Sequence, residues 1–270
     1  MIEIGIDPMI ELGPITLAWH GVMIAVGIIV GGVAAARHAR ELSLDVDRLS
    51  TIGLLLVAFG IVGARILYLI ESGEIADPGE WFGTRGFSLN GGVVLVAVAI
   101  AVYIRRAGLS LRYLDAVAVG FALGLAIGRI GDVINGEHYG PPSSFFLAVR
   151  NSHPEADTPD PTLAFHSGGL YEVLLGTAIF ALLWPLRHRF RRPTMLLWAV
   201  VALYAAGRFV ESFFRLDSAE LALGLSGPQW TSVVLIVVAG LGTLWARRRY
   251  ELGDGGPSDW RTPTPRTSAG

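Results

Sequence analysis

Blocks of apolar residues, each about as long as a bilayer is thick, recur along this chain, and short arginine-bearing segments separate them. In lipid every backbone polar group must find its partner within the protein, so a spanning segment is a helix or part of a closed barrel. Runs near the roughly 20 residues a bilayer needs are read as helices. The spans are expected at about Ile15–Ala36, Thr51–Glu71, Asn90–Ile104, Tyr113–Asn135, Gly168–Leu186, Thr194–Phe214 and Gln229–Ala246. The third is short, opens on Asn90-Gly91-Gly92, and reads as a broken or tilted piece. With 52% hydrophobic and only 16% charged residues the chain lacks the charge of a soluble domain. The expected fold is therefore all-α: a polytopic membrane protein of about seven transmembrane helices, with an external loop or head between helices four and five.

Orientation follows from the arginines, because basic loops stay cytoplasmic. There is no lysine, and fifteen of the 21 arginines fall in one set of loops and the tail. The opposite loops hold only Arg85, Arg150 and Arg215, and Arg65, Arg129 and Arg208 lie within spans. The N-terminus is then outside and the C-terminus cytoplasmic. Residues 1–250 are expected to form one transmembrane domain. The Gly/Pro/Ser/Thr-rich residues 251–270 are expected to be a disordered cytoplasmic tail. Met1 to Gly13 lacks a basic n-region, so no cleaved signal peptide is expected. The absence of cysteine excludes disulfides, thiolate metal sites and a cysteine nucleophile on this chain. The connector from Gly136 to Ser167 is long, which favours a folded lid or head.

The polar residues within the spans carry the functional signal, since ionisable groups at that depth are costly and mark sites. At about 1.5 Å per residue, Arg129 lies about 24 Å above the cytoplasmic start of its helix, and Arg65 and Arg208 about 21 Å along theirs. His20, Asn90 and Glu172 sit near the outer ends of their own spans. All these positions fall in one half of the membrane. Tyr204, Arg208, Glu211 and Arg215 share a helical face at i, i+4, i+7 and i+11, and Arg129 and Asp132 share another at i and i+3. These could be interhelical ion pairs that hold the bundle, or a site. Three guanidinium groups at one depth suit a phosphate, which the planar fork binds bidentately. Helix starts at Asn90-Gly91-Gly92 and Ser167-Gly168-Gly169 would offer free amides to the same anion. An anionic phospholipid is the ligand that fits such a place. The spacing Gly120, Gly124 and Gly128 allows another backbone to approach closely, and is read first as helix packing.

The stretch Gly128-Arg129-Ile130-Gly131-Asp132-Val133-Ile134-Asn135-Gly136-Glu137-His138-Tyr139-Gly140 resembles the signature of the bacterial prolipoprotein diacylglyceryl transferases, roughly G-R-x-G-N-F-x-N-x-E-x-x-G. Further matches follow in family order: Asp7-Pro8, Trp19-His20-Gly21, Gly63-Ala64-Arg65, Leu170-Tyr171-Glu172, and the run from Gly207 to Arg215. The resemblance implies transfer of a diacylglyceryl group from phosphatidylglycerol to the lipobox cysteine of a secreted precursor, giving a thioether and glycerol phosphate. It further implies that Arg129 and Arg208 hold the phosphate, with Glu137 orienting them or the headgroup; Arg65, by its depth, Gly91 and Gly92, at their helix start, and Asn135 are counted in the same phospholipid-binding set. Glu172 and Glu211 would orient the arginines, and Tyr204 matches a tyrosine of the family. No metal, cofactor or nucleic acid is implied. The partners are the phospholipid, the precursor's signal peptide and membrane lipids; the plasma membrane of a bacterium is the expected location, and a monomer the expected state.

This chain departs from the family pattern at telling places. The family histidine before Gly91 is Asn90, and an amide cannot take a proton near neutral pH. The first signature asparagine is Asp132, and the tyrosine before Gly21 is His20. Also, the family's His-Pro before the fifth span reads His166-Ser167. His20, or second to it Asp132, is the candidate substitute base; the alternative is that His20 is an interfacial hydrogen-bonding residue. Two other readings remain at this level. One is a relative that has lost or changed the reaction and serves as a lipid-binding or assembly protein. The other is an anion or lipid transporter, against which the uncharged runs Gly53–Phe59, Ala116–Leu125 and Leu196–Ala202 count.

Overall fold

The computed structural model describes residues 1–82, 86, 88–216 and 220–251. Arg85, the Asn90 side chain and residues 252–270, which make up nearly all of the expected tail, lie outside the described residues. Long helices dominate: α1 Trp19–Glu41, α2 Val46–Ser72, α3 Leu89–Ala107, α4 Arg112–Asn135, α5 Gly168–Leu186, α6 Met195–Glu211 and α7 Gly227–Arg249. Among the described residues six candidate spans are long and apolar enough to cross a membrane; α3 is not among them. The faces of these helices carry exposed large aliphatics such as Ile29, Val33, Leu54 and Leu241. Water would penalise such surfaces and lipid accepts them. The chain is a multi-pass membrane protein.

The expectation of a purely helical chain is corrected by three small sheets among the described residues. Strands β1 Ile2–Ile4, β4 Tyr139–Pro142, β5 Val149–Asn151 and β6 Phe165–Ser167 form one sheet in the order β1-β5-β6-β4. Strands β2 Met9–Leu12 and β3 Ile15–Ala18 form a hairpin, as do β7 Glu220–Ala222 and β8 Leu225–Ser226. The first helix therefore begins at Trp19 rather than Ile15. Gly13, at φ 64°, reverses the chain, and the β-branched Ile15 and Thr16 then pair back on Leu12 and Glu11. His20 stands in the first turn of α1.

The chain divides into two compact units. The first contains Met1–His38 and Leu114–Asp254. Within it α1 and α4 meet through glycines, and the spacing in α4 has its partner in Gly27 and Gly31: a Cβ on Gly120 would lie 2.4 Å from the Gly31 carbonyl oxygen. Helices α4, α5 and α6 share an apolar core that includes Val119, Ala122, Ile179, Leu183, Leu196 and Val200. Asp115, buried in α4, accepts from the backbone N–H groups of Thr194 and Leu197 at 2.9 Å each, and so caps α6 from another helix. Asn151 of β5 donates to the carbonyls of Val133 and Ile134 at 2.9 and 3.0 Å, satisfying the end of α4. These two contacts fix where α4 ends and where α6 starts, and the site is built on both.

The second unit contains Ala39–Tyr113. Here α2 and α3 pack backbone to backbone: a Cβ on Gly91 would lie 2.2 Å from the Gly63 carbonyl oxygen, and one on Gly92 2.9 Å from that of Gly60. Arg65 is buried, donates to the carbonyls of Gly86 and Glu80, pairs with the Glu80 carboxylate at 3.6 Å, and lies over the Tyr68 ring.

Candidate active site

Four segments of the first unit bring ionisable side chains together: the start of α1, the end of α4 with the turn after it, the start of α5, and the end of α6. Gly131 allows this for α1, because a Cβ there would lie 2.6 Å from the Cα of His20. His20 Nδ1 consequently reaches Asp132 Oδ1 at 2.5 Å, and stands 3.5 Å from Glu137 Oε2. An ionised carboxylate can only accept, so Nδ1 carries the shared proton, and in the neutral ring Nε2 holds the lone pair. Glu137 in turn accepts from the Asn135 amide at 2.8 Å.

Asp132 is fully buried and its second oxygen accepts from Arg129, one turn back on α4. Arg129 also pairs through Nε with Glu172 on α5, and Glu172 pairs through its other oxygen with Arg208 on α6 at 3.1 Å. Glu172 is 1% exposed, and both its oxygens are engaged as ion pairs rather than aligned hydrogen bonds. Arg208 donates to Glu211, and Glu211 faces Arg215 at 3.5 Å. Arg215 donates to His138 Nδ1 at 2.8 Å, and His138 Nε2 lies 3.9 Å from Asp132. The contacts close on themselves, running Asp132, Arg129, Glu172, Arg208, Glu211, Arg215, His138 and back to Asp132, with His20 attached at Asp132.

From Asp132 to Arg215 the circuit alternates anions and cations, so each of these buried charges has an opposite neighbour, as burial demands, and His138 joins the two ends. Each guanidinium has five N–H donors, more than two carboxylates use. Arg129 and Arg208 keep 20% and 16% of their side-chain surface exposed, so a small anion can reach them, whereas Arg215 at 5% is enclosed. Beside this circuit a cavity of about 850 Å³ is lined by Phe145, His166, Tyr171, Val210, Glu211 and Phe214 among others. It pairs an apolar wall with a charged edge at Glu211. His166 Nδ1 and the Tyr171 hydroxyl, 2.5 Å apart, cross-link that wall.

The structure gathers most of the residues read from the sequence: His20, Arg129, Asp132, Asn135, Glu137, Glu172, Arg208 and Glu211. Tyr204 lies one turn before Arg208 and packs on the apolar core. Arg65, Gly91 and Gly92 belong to the second unit, where Arg65 binds loop carbonyls and the two glycines serve helix packing. His138 was not legible as a site residue. It fills a variable position of the signature, and only its left-handed backbone, φ 59°, sets it apart.

The family model described as prolipoprotein diacylglyceryl transferase matches residues 8–245. A phosphatidylglycerol–prolipoprotein diacylglyceryl transferase of Frankia alni is 35% identical over 252 residues, covering 89% of this chain and 66% of that protein. Proteins of the same name from Thermosynechococcus vestitus and Geobacillus kaustophilus are 32% and 34% identical, covering 94% and 90% of this chain and 96% and 95% of their own lengths. By the extent of these matches, the chain belongs to the prolipoprotein diacylglyceryl transferase family.

Proposed function

We propose that this chain transfers the diacylglyceryl group of phosphatidylglycerol to the lipobox cysteine thiol of a secreted precursor. The observation that carries the reading is the convergence of Arg129 and Arg208, from different helices, on the buried Glu172. The acceptor thiol gives its proton to His20 Nε2. The thiolate sulfur, which is the nucleophile, then forms a bond to the glycerol carbon as the carbon–oxygen bond to phosphate breaks. The electron pair goes to the phosphate oxygen and glycerol phosphate leaves. The leaving group gains one negative charge, and fixed cations at that point stabilise the transition state more than the ground state. Arg129 and Arg208 supply them, while Glu172, Asp132 and Glu211 keep the guanidinium planes oriented. Asn135 holds Glu137 toward His20 and the glycerol headgroup. Asp132 fixes the His20 tautomer, which supplies a base where Asn90 cannot. An acyl chain of the donor fits the apolar wall of the cavity beside Glu211.

In the same reading all seven long helices span the plasma membrane of a bacterium, with the N-terminus outside and the C-terminus cytoplasmic. The four-stranded sheet is an external head, and the site opens toward the outer leaflet. Residues 1–250 act as one monomeric transferase domain, and residues 251–270 are a disordered cytoplasmic tail. The excess of arginine on the opposite loops supports that orientation.

The test uses the purified protein, phosphatidylglycerol vesicles and a lipobox peptide. The expected result is a mass gain of one diacylglyceryl on the peptide cysteine, at a rate that His20→Gln lowers about 10²- to 10⁴-fold. Full turnover of the His20→Gln variant would remove it as base, and no mass gain with the wild-type protein would remove the transferase reading.

A further inference from the structure

We infer that His138 is a positioning residue for this reaction, holding Asp132, and through it His20, in the working orientation; this rests on the reading of His20 as base. An arginine only donates, so the contact of Arg215 with His138 Nδ1 makes that nitrogen an acceptor. The ring proton then sits on Nε2, the nitrogen that faces Asp132 Oδ2. Asp132 therefore has His20 on one oxygen, and Arg129 with the His138 N–H on the other. At 3.9 Å the last contact is electrostatic rather than a hydrogen bond.

The backbone shows that this ring is held in place. His138 adopts φ 59°, a region most residues avoid. Its carbonyl accepts from the N–H of Gly168, the first residue of α5, at 2.9 Å. Two residues on, Gly140 lies against Phe214 so closely that a Cβ would come within 1.8 Å of the Phe214 carbonyl oxygen. The turn is clamped between α5 and the end of α6, and it places one imidazole between Arg215 and Asp132. No other contact described above links the end of α6 to Asp132 without passing through Glu172.

Two substitutions separate the two halves of the role. Asparagine tolerates the left-handed backbone and keeps an acceptor for Arg215, but it is too short to reach Asp132. Glutamine reaches Asp132 with a donor and gives up Arg215. With phosphatidylglycerol vesicles and a lipobox peptide, His138→Asn should lower kcat by about 10- to 100-fold, the range expected when a reacting group is misplaced. KM for the lipid should hold, and His138→Gln should recover most of the loss. In a His20→Gln background the His138→Asn change should cost nothing further, because both act on one group.

Nitrogen-15 NMR of histidine-labelled protein in nanodiscs gives a readout independent of turnover. It should show the proton on Nε2 for His138 and on Nδ1 for His20, with the latter signature lost in His138→Asn. A proton on Nδ1 of His138 would overturn the inference. So would full kcat in His138→Asn, a glutamine variant no better than the asparagine one, or additive losses with His20→Gln. If the wild-type protein shows no transfer, the transferase reading falls, and the two tautomers still decide this one.

Discussion

Glu172→Gln replaces the anion that joins α4 to α6 with an amide of the same shape. At 3.1 Å, and at the effective dielectric of about 20 that suits buried protein sites, the attraction between Arg208 and Glu172 is about 5 kcal/mol before desolvation is counted. The Arg129 contact is no longer, so the gross term on that side is comparable. Desolvation of the carboxylate offsets much of this, and removing one partner of a buried pair costs about 3–5 kcal/mol net. Two features lower that figure here. Both arginines retain some solvent exposure, and each keeps a second carboxylate, Asp132 for Arg129 and Glu211 for Arg208. The expected loss is about 2–4 kcal/mol, read by equilibrium unfolding in mixed detergent micelles. Added glycerol phosphate should restore more stability to the variant than to the wild type, because it fills the place of the lost charge. Turnover should fall as well, since the two guanidinium groups lose their common anchor. Stability within about 0.5 kcal/mol of wild type, a value ordinary for surface changes, together with intact turnover would refute the view of Glu172 as the hub.

Two further outcomes follow from the same geometry. Arg208→Lys keeps the charge but not the fork that serves Glu172 and Glu211 while reaching a phosphate. It should lower kcat about 100-fold or more with folding intact, a loss typical of one oxyanion donor; wild-type turnover in a peptide assay would rule out a geometric role. Asp115→Ala removes the cap of α6 and leaves two amides at a buried helix start. It should cost about 1–2 kcal/mol of stability, measured by thermal unfolding, and an unchanged transition would show that the cap contributes nothing.

Hydropathy carried most of the architecture. The long apolar blocks needed no tertiary contact to declare themselves, because a bilayer demands length and internal hydrogen bonding before anything else. The errors fell where lipid no longer dictates. Ile15 to Ala18 is apolar enough to extend the first span, yet a turn at Gly13 pairs it into a hairpin instead. The 136–167 connector read as a folded piece, but the strands in it form a sheet with the distant N-terminal Ile2–Ile4, and local pattern does not encode such a pairing.

The site divides in the same way. The cost of charge within apolar blocks and the spacing along each helix singled out Arg129, Asp132, Glu172, Arg208 and Glu211 as candidates, since a sequence keeps such groups in a span only for a reason. Their partners were another matter. That Arg65 holds the carbonyls of Gly86 and Glu80, that Arg129 and Arg208 share one glutamate, and that His138 closes the circuit depend on helix rotation and on a left-handed turn. Rotation is set by which side chains and glycines interlock across helices. That is a property of pairs of surfaces, and one strand of sequence holds only half of each.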